Sequence, residues 1–247
     1  MPRHQDDLTE TPQRPARRGV FRALTRRIWS PIWGWTRWIG ARLLALMFVL
    51  VLLFSFINPP TSWTILTETR TYPGTPRDWT PISEIAPVMV RSVVAAEDAN
   101  FCAHWGFDMV EIRKVVASGS SRGASTLTQQ TAKNVFLWQG RSWPRKLLET
   151  LYTPMIEALW SKRRIVEVYL NLAEFGPGVF GVAAAAKHHF GTTPDKLTAR
   201  QAAALASILP APKDRQPKTG SRRARAIADG AATIAADWRD ACLRLPR

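Results

Sequence analysis

Apolar residues follow two regimes along this chain. No charged residue occurs from position 43 to 57, and extending back to 39 adds only Arg42. The 19 positions from 39 to 57, at ~1.5 Å each, nearly cross a ~30 Å hydrocarbon layer. Core helices seldom lack a polar face, so the segment is expected to be a transmembrane helix, with Arg42 reaching to the interface. It ends in Asn58, Pro59 and Pro60 with no small-x-small cleavage pattern, which favours a retained anchor over a removed signal peptide. From Pro87 onward the pattern changes to helical spacing. Val88, Val90, Val93, Val94 and Ala96 predict a helix with Pro87 in its first turn, which places Glu97 at or just past its end. Asp108 with Glu111 has the form of a capping box, and Val110, Val115 and Val116 continue that helix to Gly119.

A small-residue loop follows at 118–123, and Ser125 is placed to cap a helix running to about Phe136. Positions 145–164 predict a long helix disturbed at Pro154, and 165–172, 182–189 and 198–208 predict three more. The alanine-rich stretch 224–236 adds another. Period-two runs are scarce, so a mainly α domain is expected. The resulting division is a basic N-terminal segment at 1–38, an anchor at 39–57 and an extended linker at 58–79. A helical domain at 80–212 and a basic, partly helical tail at 213–247 complete it.

The 247 residues suffice for one fair-sized domain plus an appendage. A formal net charge of +15 predicts an anionic partner but does not choose among phosphate, nucleic acid and acidic lipid. Up to position 42, nine arginines outnumber three acidic residues by six, and Trp29, Trp33, Trp35 and Trp38 gather beside the apolar run. By the positive-inside rule this end is cytoplasmic and the rest lies outside, with the indoles in the headgroup layer. The membrane thus accounts for the arginines, no nucleic-acid-reading motif occurs, and nucleic acid is not an expected partner. Cys102 and Cys242 are the only cysteines. Their separation in sequence says little about distance, and the expectation is that they stay unpaired. The lack of a CxxC or His/Cys ligand cluster argues against structural zinc.

Three polar clusters interrupt the apolar pattern. The first is Glu97-Asp98 followed by Phe101, His104 and Gly106; in isolation a carboxylate pair at a helix end is as readily an exposed cap. The second contains Ser125, Thr126, Gln129, Gln130, Lys133 and Asn134. On a helix, Ser125, Gln129 and Lys133 form one i+4 row and Thr126, Gln130 and Asn134 the next. A face of amides and hydroxyls with one cation fits sugar and phosphate better than a solvated face would. The third holds Arg141, Arg145, Lys146 and Glu149, which alone reads as a surface ion-pair ladder. Together the clusters meet the needs of glycosyl transfer from a diphosphate donor: cations for the departing charge and a partly buried carboxylate as base.

These segments resemble the signature motifs of the bacterial peptidoglycan glycosyltransferases, the family 51 glycosyltransferases. The first matches Glu-Asp-x-x-Phe-x-x-His-x-Gly, the second Gly-x-Ser-Thr-Leu-Thr-Gln-Gln-x-x-Lys-Asn and the third Arg-Lys-x-x-Glu. Lys162-Arg163-Arg164-Ile165, Glu167-x-Tyr169-Leu170-Asn171 and Gly178-Val179-Phe180-Gly181 extend the resemblance over about 81–210. It implies a lysozyme-like, two-lobed helical domain behind one transmembrane helix, with Val135, Phe136, Leu137, Trp138 and Trp143 as candidates for a membrane-facing surface, a buried apolar patch being the equal alternative. It implies Glu97 as the base that deprotonates the acceptor 4-hydroxyl for inverting attack, and Glu149 as the second essential carboxylate. Lys133, Arg141 and Arg145 would hold the diphosphate, while Asp98, Phe101, His104, Ser125, Thr126, Gln129, Gln130, Asn134 and Lys146 would bind substrate. No cofactor is expected to be required, although a divalent cation such as Mg2+ would be able to assist the diphosphate. The implied partners are lipid II, the growing glycan chain, inner-membrane lipids and other cell-wall synthesis proteins.

Lys218-Thr219-Gly220 spells a short motif of penicillin-binding transpeptidases, but no Ser-x-x-Lys accompanies it, so the resemblance is to the monofunctional branch. A lysozyme-like hydrolase or lytic transglycosylase needs an acid for a sugar leaving group, which the cation set does not favour. A non-catalytic cell-wall scaffold is the other alternative.

Overall fold

The computed structural model describes residues 18–68, 71, 78–119, 123–140 and 142–246, with backbone alone over 18–32. Residues 1–17 of the basic segment, part of the linker, part of the loop at 118–123, Arg141 and Arg247 lie outside the described residues. The chain forms two units, residues 1–47 and 48–247.

Helix α1 spans Arg18–Phe56, and its stretch Trp33–Phe56 is long and apolar enough to cross a membrane. In the first unit the Arg42 guanidinium lies 3.2 Å over the Trp38 ring, a cation–π contact that keeps a lone charge with an interfacial side chain.

In the second unit the end of α1 is tied to the helical domain. Arg164 donates to the carbonyls of Phe54 (3.1 Å) and Ile57 (2.9 Å) and to Asn58 Oδ1 (2.8 Å), and the Trp160 indole donates to Val51 O (2.7 Å). The carbonyls of Phe54 and Ile57 are ones that the helix itself leaves open at its C-terminus, where a cation is favoured. The segment after it is not extended as expected: Trp63–Glu68 forms a short helix, α2, held by Gln139 Nε2 on Thr64 Oγ1 at 2.8 Å.

The chain is mainly helical, with ten α-helices among the described residues, α1 included. Helix α3 (Pro87–Glu97) starts on the expected proline and ends on Glu97. Asp108 caps α4 (Met109–Ser118) through the amides of Val110 and Glu111, but the Glu111 side chain pairs with Lys114 rather than closing the box. Helix α5 (Leu127–Phe136) is capped by Thr126, one residue later than expected, because Gln129 three positions on completes a reciprocal box. Helix α6 (Trp143–Leu159) runs through Pro154, which denies the Thr150 carbonyl an amide partner without ending the helix. The break comes instead at Trp160 and Ser161, where Ser161 caps α7 (Lys162–Leu172). A two-stranded hairpin, β1 (Glu174–Gly176) and β2 (Val179–Phe180), follows; it is too short to show as alternation. Its exit is Gly181 (φ 82°), where a methyl group would lie 2.9 Å from Asn171 O. Helices α8 (Val182–Phe190), α9 (Ala199–Ile208) and α10 (Arg222–Ala236) complete the domain.

The core lies where α3, α9 and α10 pack on one another and α5 packs on α6 and α7. Ala202, Ala203, Ala204 and Ala206 of α9 are all fully buried, and their small side chains permit close helix approach. Val90, Val93, Ile165, Leu170 and Leu205 are fully buried, each contributing about 1.5–3 kcal/mol by leaving water. Residues 213–246 belong to this unit, with α10 against α3 and α9. Contrary to expectation, Cys102 and Cys242 form a disulfide across 140 positions, with Cα atoms 5.7 Å apart; the helices between them bring the two ends together. The five candidates for a membrane-facing or buried apolar patch divide between the two. Val135 and Leu137 are buried, and Phe136 stacks on Tyr152 with ring centroids 4.4 Å apart. Of the five, Trp138 and Trp143 are exposed, at 38% and 88%.

Candidate active site

Two consecutive carboxylates at the end of α3 have opposite surroundings. Asp98 is buried; its Oδ1 lies 2.8 Å from His104 Nε2 and its Oδ2 accepts from the Leu127 amide at 3.0 Å. It thus places an anion on the first turn of α5 and fastens that helix to the end of α3. Thr126 adds a hydrogen bond to Gly106 O at 2.6 Å. Phe101 is fully buried, with Lys162 Nζ 4.3 Å over its ring; Lys162 also donates to His104 O and pairs with Glu157. Asp98, Phe101, His104, Thr126 and Gln129 are therefore committed to holding the loop and the α5 cap, and the broad polar face read from the sequence narrows to Ser125, Gln130, Lys133 and Asn134. Asp98, His104 and Asp108 also bring metal-ligand-type atoms within 4.8 Å of one another. Asp108 is occupied by Val110 N, Glu111 N and Asn100, and Asp98 by His104 and Leu127 N, so these groups close the loop.

Glu97 has one oxygen, Oε2, accepting from Gln130 Nε2 at 2.9 Å, while Oε1 is buried with no protein partner among the described residues. Gln130 Oε1 in turn accepts from the buried Tyr169 hydroxyl at 3.2 Å. Burial pushes the Glu97 carboxyl above its ordinary range, opposed by the Gln130 hydrogen bond and by the charges of Arg223 and Lys133. Burial likewise drives the Tyr169 hydroxyl well up, and Glu97 adds to this. Tyr169 therefore stays a neutral donor that orients Gln130.

The cations gather next to this carboxylate. Glu149 is buried and pairs with Arg145 Nη1 at 2.7 Å and with Lys146 Nζ. Arg145 Nε donates to Gly140 O at 2.8 Å, and Lys146 Nζ donates to Ser125 Oγ at 3.3 Å. Lys133 is largely buried, and no carboxylate among the described residues pairs directly with it. Burial lowers its pKa, and it feels the charges of Glu149, Arg145, Glu97 and Lys146. Lys133 is therefore in electrostatic reach of both Glu97 and the Glu149 cluster. One carboxylate faces three cations there, which leaves positive charge available for an anion.

Two cavities adjoin these groups. One of about 360 Å³ is lined by Gln130, Lys133, Asn134, Gln139, Tyr169 and Glu174 among others, and one of about 280 Å³ by Ser142, Trp143, Arg145 and Lys146. Glu97 borders neither directly; Gln130, which covers its Oε2, lines the first. Sequence reasoning placed Glu97, Gln130, Lys133, Glu149, Arg145 and Lys146, all of which the fold brings together. It missed Arg223, which lies in a segment with no motif. It quoted Tyr169 without assigning it to the site, although Tyr169 stands in a matched segment.

Residues 64–235 match the model of the family described as Transglycosylase, and the chain belongs to that family. Its relatives give the finer comparison. It is 55% identical over 202 residues to the biosynthetic peptidoglycan transglycosylase of Jannaschia sp. (strain CCS1), covering 80% of this chain and 84% of the relative. The protein of the same description from Yersinia pseudotuberculosis serotype O:1b (strain IP 31758) is 47% identical over 200 residues, 76% of this chain and 83% of the relative. That from Stutzerimonas stutzeri (strain A1501) is 48% identical over 181 residues, 69% and 75% respectively.

Proposed function

We infer that this chain builds the glycan strands of peptidoglycan by joining lipid-linked disaccharide units, lipid II, with release of undecaprenyl diphosphate. It is a peptidoglycan glycosyltransferase, and its residues divide the reaction between them as follows. Glu97 takes the proton of the acceptor 4-hydroxyl, and the resulting oxygen attacks the anomeric carbon of the donor with inversion. A carboxyl raised by burial is better matched to this task than an ordinary exposed one. Lys133, Arg145 and Lys146 neutralise the departing diphosphate, joined by Arg141, which lies outside the described residues. Glu149 holds Arg145 and Lys146 in place. Gln130 orients Glu97, and Asn134 and Ser125 supply polar contacts to sugar or phosphate. No protein acid is needed, because a diphosphate leaves as a stable anion, and no cofactor enters these steps.

The apolar stretch of α1 supports a single-pass anchor in the inner membrane, with the arginine-rich N-terminus cytoplasmic and the catalytic domain periplasmic. Partners beyond the substrates are the surrounding lipids and other proteins of cell-wall synthesis.

The observation that carries this reading is the position of Lys133, within electrostatic reach of Glu97 on one side and of Arg145, Lys146 and Glu149 on the other. Detergent-solubilised protein incubated with purified lipid-linked disaccharide-pentapeptide is expected to give polymer on a gel, and Glu97→Gln is expected to give none. Clearing of a peptidoglycan gel by the wild type, without polymer, refutes the assignment in favour of a hydrolase. Full activity of Glu97→Gln refutes the base.

A further inference from the structure

The segment after α9 returns to the catalytic end of the domain. Helix α10 lies antiparallel to α3 in a register fixed by contacts along both. Arg91, in the first half of α3, donates to Asp240 Oδ2 at 2.7 Å just beyond α10, and a methyl group at Gly230 would sit 3.3 Å from Ala95 Cβ. The first turn of α10 therefore comes to the Glu97 end of α3, where Arg223 Nε donates to Ser207 O at 3.2 Å. Past α10 the chain is gripped again. Arg163 Nη1 of α7 donates to Leu243 O at 2.9 Å, Arg91 Nη2 donates to Pro246 O at 3.1 Å, and Cys242 is bonded to Cys102, five positions after Glu97. The strap thus joins α3, α7 and the loop that carries Asp98 and His104.

We propose that this disulfide-closed strap, residues 222–246, is a positioning element for the catalytic base: it fixes the last turn of α3 and holds Arg223 beside Glu97. Nothing in the three sequence motifs or in the family comparison assigns this segment a role. The proposal rests on the reading of Glu97 as base. The charged or titratable groups facing Glu97 are Asp98 on its own segment, Lys133 on α5, Tyr169 on α7 and Arg223 on α10. Of these, Arg223 alone is delivered by the strap. Its charge lowers the Glu97 pKa against burial, so releasing the strap leaves the base protonated to higher pH.

The test uses the full-length protein in detergent. A water-soluble phosphine reduces the disulfide; two thiols form and the phosphine becomes its oxide, taking oxygen from water. Iodoacetamide then caps each thiol with loss of iodide. Both cysteines are half-buried rather than sealed. The profile of kcat/KM against pH is measured for the oxidised, reduced and capped wild type, for Cys102→Ser with Cys242→Ser, and for Arg223→Gln and Arg223→Lys. The acid limb is expected to move to higher pH in the capped protein, the double serine variant and Arg223→Gln, with activity at the acid end lower by about threefold or more. Arg223→Lys is expected to restore most of it. Activity that falls only with the folded fraction, on an unmoved limb, overturns the proposal; so does an unchanged profile. If the double serine variant does not fold, the capped wild type decides. Polymer synthesis by Glu97→Gln overturns the base reading and the proposal with it, whereas an unmoved limb with Glu97→Gln inactive overturns the proposal alone.

Discussion

Replacing Glu149 by Gln keeps its shape and removes its charge, which isolates what that charge does. The side chain is 4% exposed, its partner Arg145 11% and its partner Lys146 40%. The Lys146 contact is open enough to solvent to contribute only about 0–1 kcal/mol. Arg145 differs, since removing one member of a buried pair strands the other charge at a cost of about 3–5 kcal/mol. The Gly140 carbonyl still accepts from its Nε, which keeps the expected loss near the lower end, about 3 kcal/mol. For a unit of roughly 200 residues, each kcal/mol lowers the melting temperature by about 2–4 °C, so Glu149→Gln should melt about 6–12 °C below wild type in detergent. Replacing both Arg145 and Glu149 by Met should recover most of that difference, because apolar side chains of similar volume carry no stranded charge. It should not recover polymer synthesis. Raised salt should change the difference little, since screening acts weakly on buried pairs. A Glu149→Gln protein melting within about 2 °C of wild type would show that the charge is solvated and that the buried cluster has been misread.

Burial raises the Glu97 carboxyl in the folded protein, so between the unfolded and folded pKa values the native state binds more protons and stability falls as pH rises. Glu97→Gln is therefore expected to melt higher than wild type at neutral pH, with the difference vanishing below the ordinary carboxylate range; an equal difference at every pH refutes this. Gly106→Ala places a methyl group 2.6 Å from Thr153 Cγ2 at a φ of 82°, and should cost about 2 kcal/mol or more by thermal unfolding. Thr126→Val removes the α5 cap and the bond to Gly106 O. It should cost about 1–2 kcal/mol, and hydrogen-exchange protection should be lost first at the amide of Gln129, whose acceptor is the Thr126 hydroxyl.

Much of the fold was legible because its signals are local. Pro87, the periodic valines after it and the serine and threonine caps set helix positions from within a few residues, and the structure departs by one residue at Thr126 and Ser125. Pro154 misled because a proline's cost is local, whereas the surroundings of Tyr152, Thr153 and Ile156, all buried, keep α6 continuous. The apolar run 135–138 was ambiguous for a related reason: sequence shows that residues are apolar but not what covers them, and Tyr152 and Phe54 stack on Phe136. The Cys102–Cys242 bond and the approach of Arg223 to Glu97 were not legible at all. Both depend on the packing of α10 against α3, which no spacing within either helix encodes.

Glu97 and Asp98 show where residue-level reading stops and geometry takes over. The two carboxylates are adjacent, chemically alike and part of one motif, so residue chemistry alone does not tell base from cap, and only the family resemblance singles out Glu97. Helix α3 ends at Glu97, and the backbone turns extended at Asp98 (φ −162°), which aims the two side chains apart. Asp98 meets the open first turn of α5 and is held by the Leu127 amide and His104, so its oxygens are occupied. Glu97 meets a single amide donor and keeps Oε1 unpartnered among the described residues. A base requires a lone pair that the protein has not already engaged, and of the two this condition is met by Glu97. Asp98→Asn should accordingly act through the joint between α3 and α5, lowering stability and activity together, whereas Glu97→Gln separates them, with activity lost in a protein at least as stable.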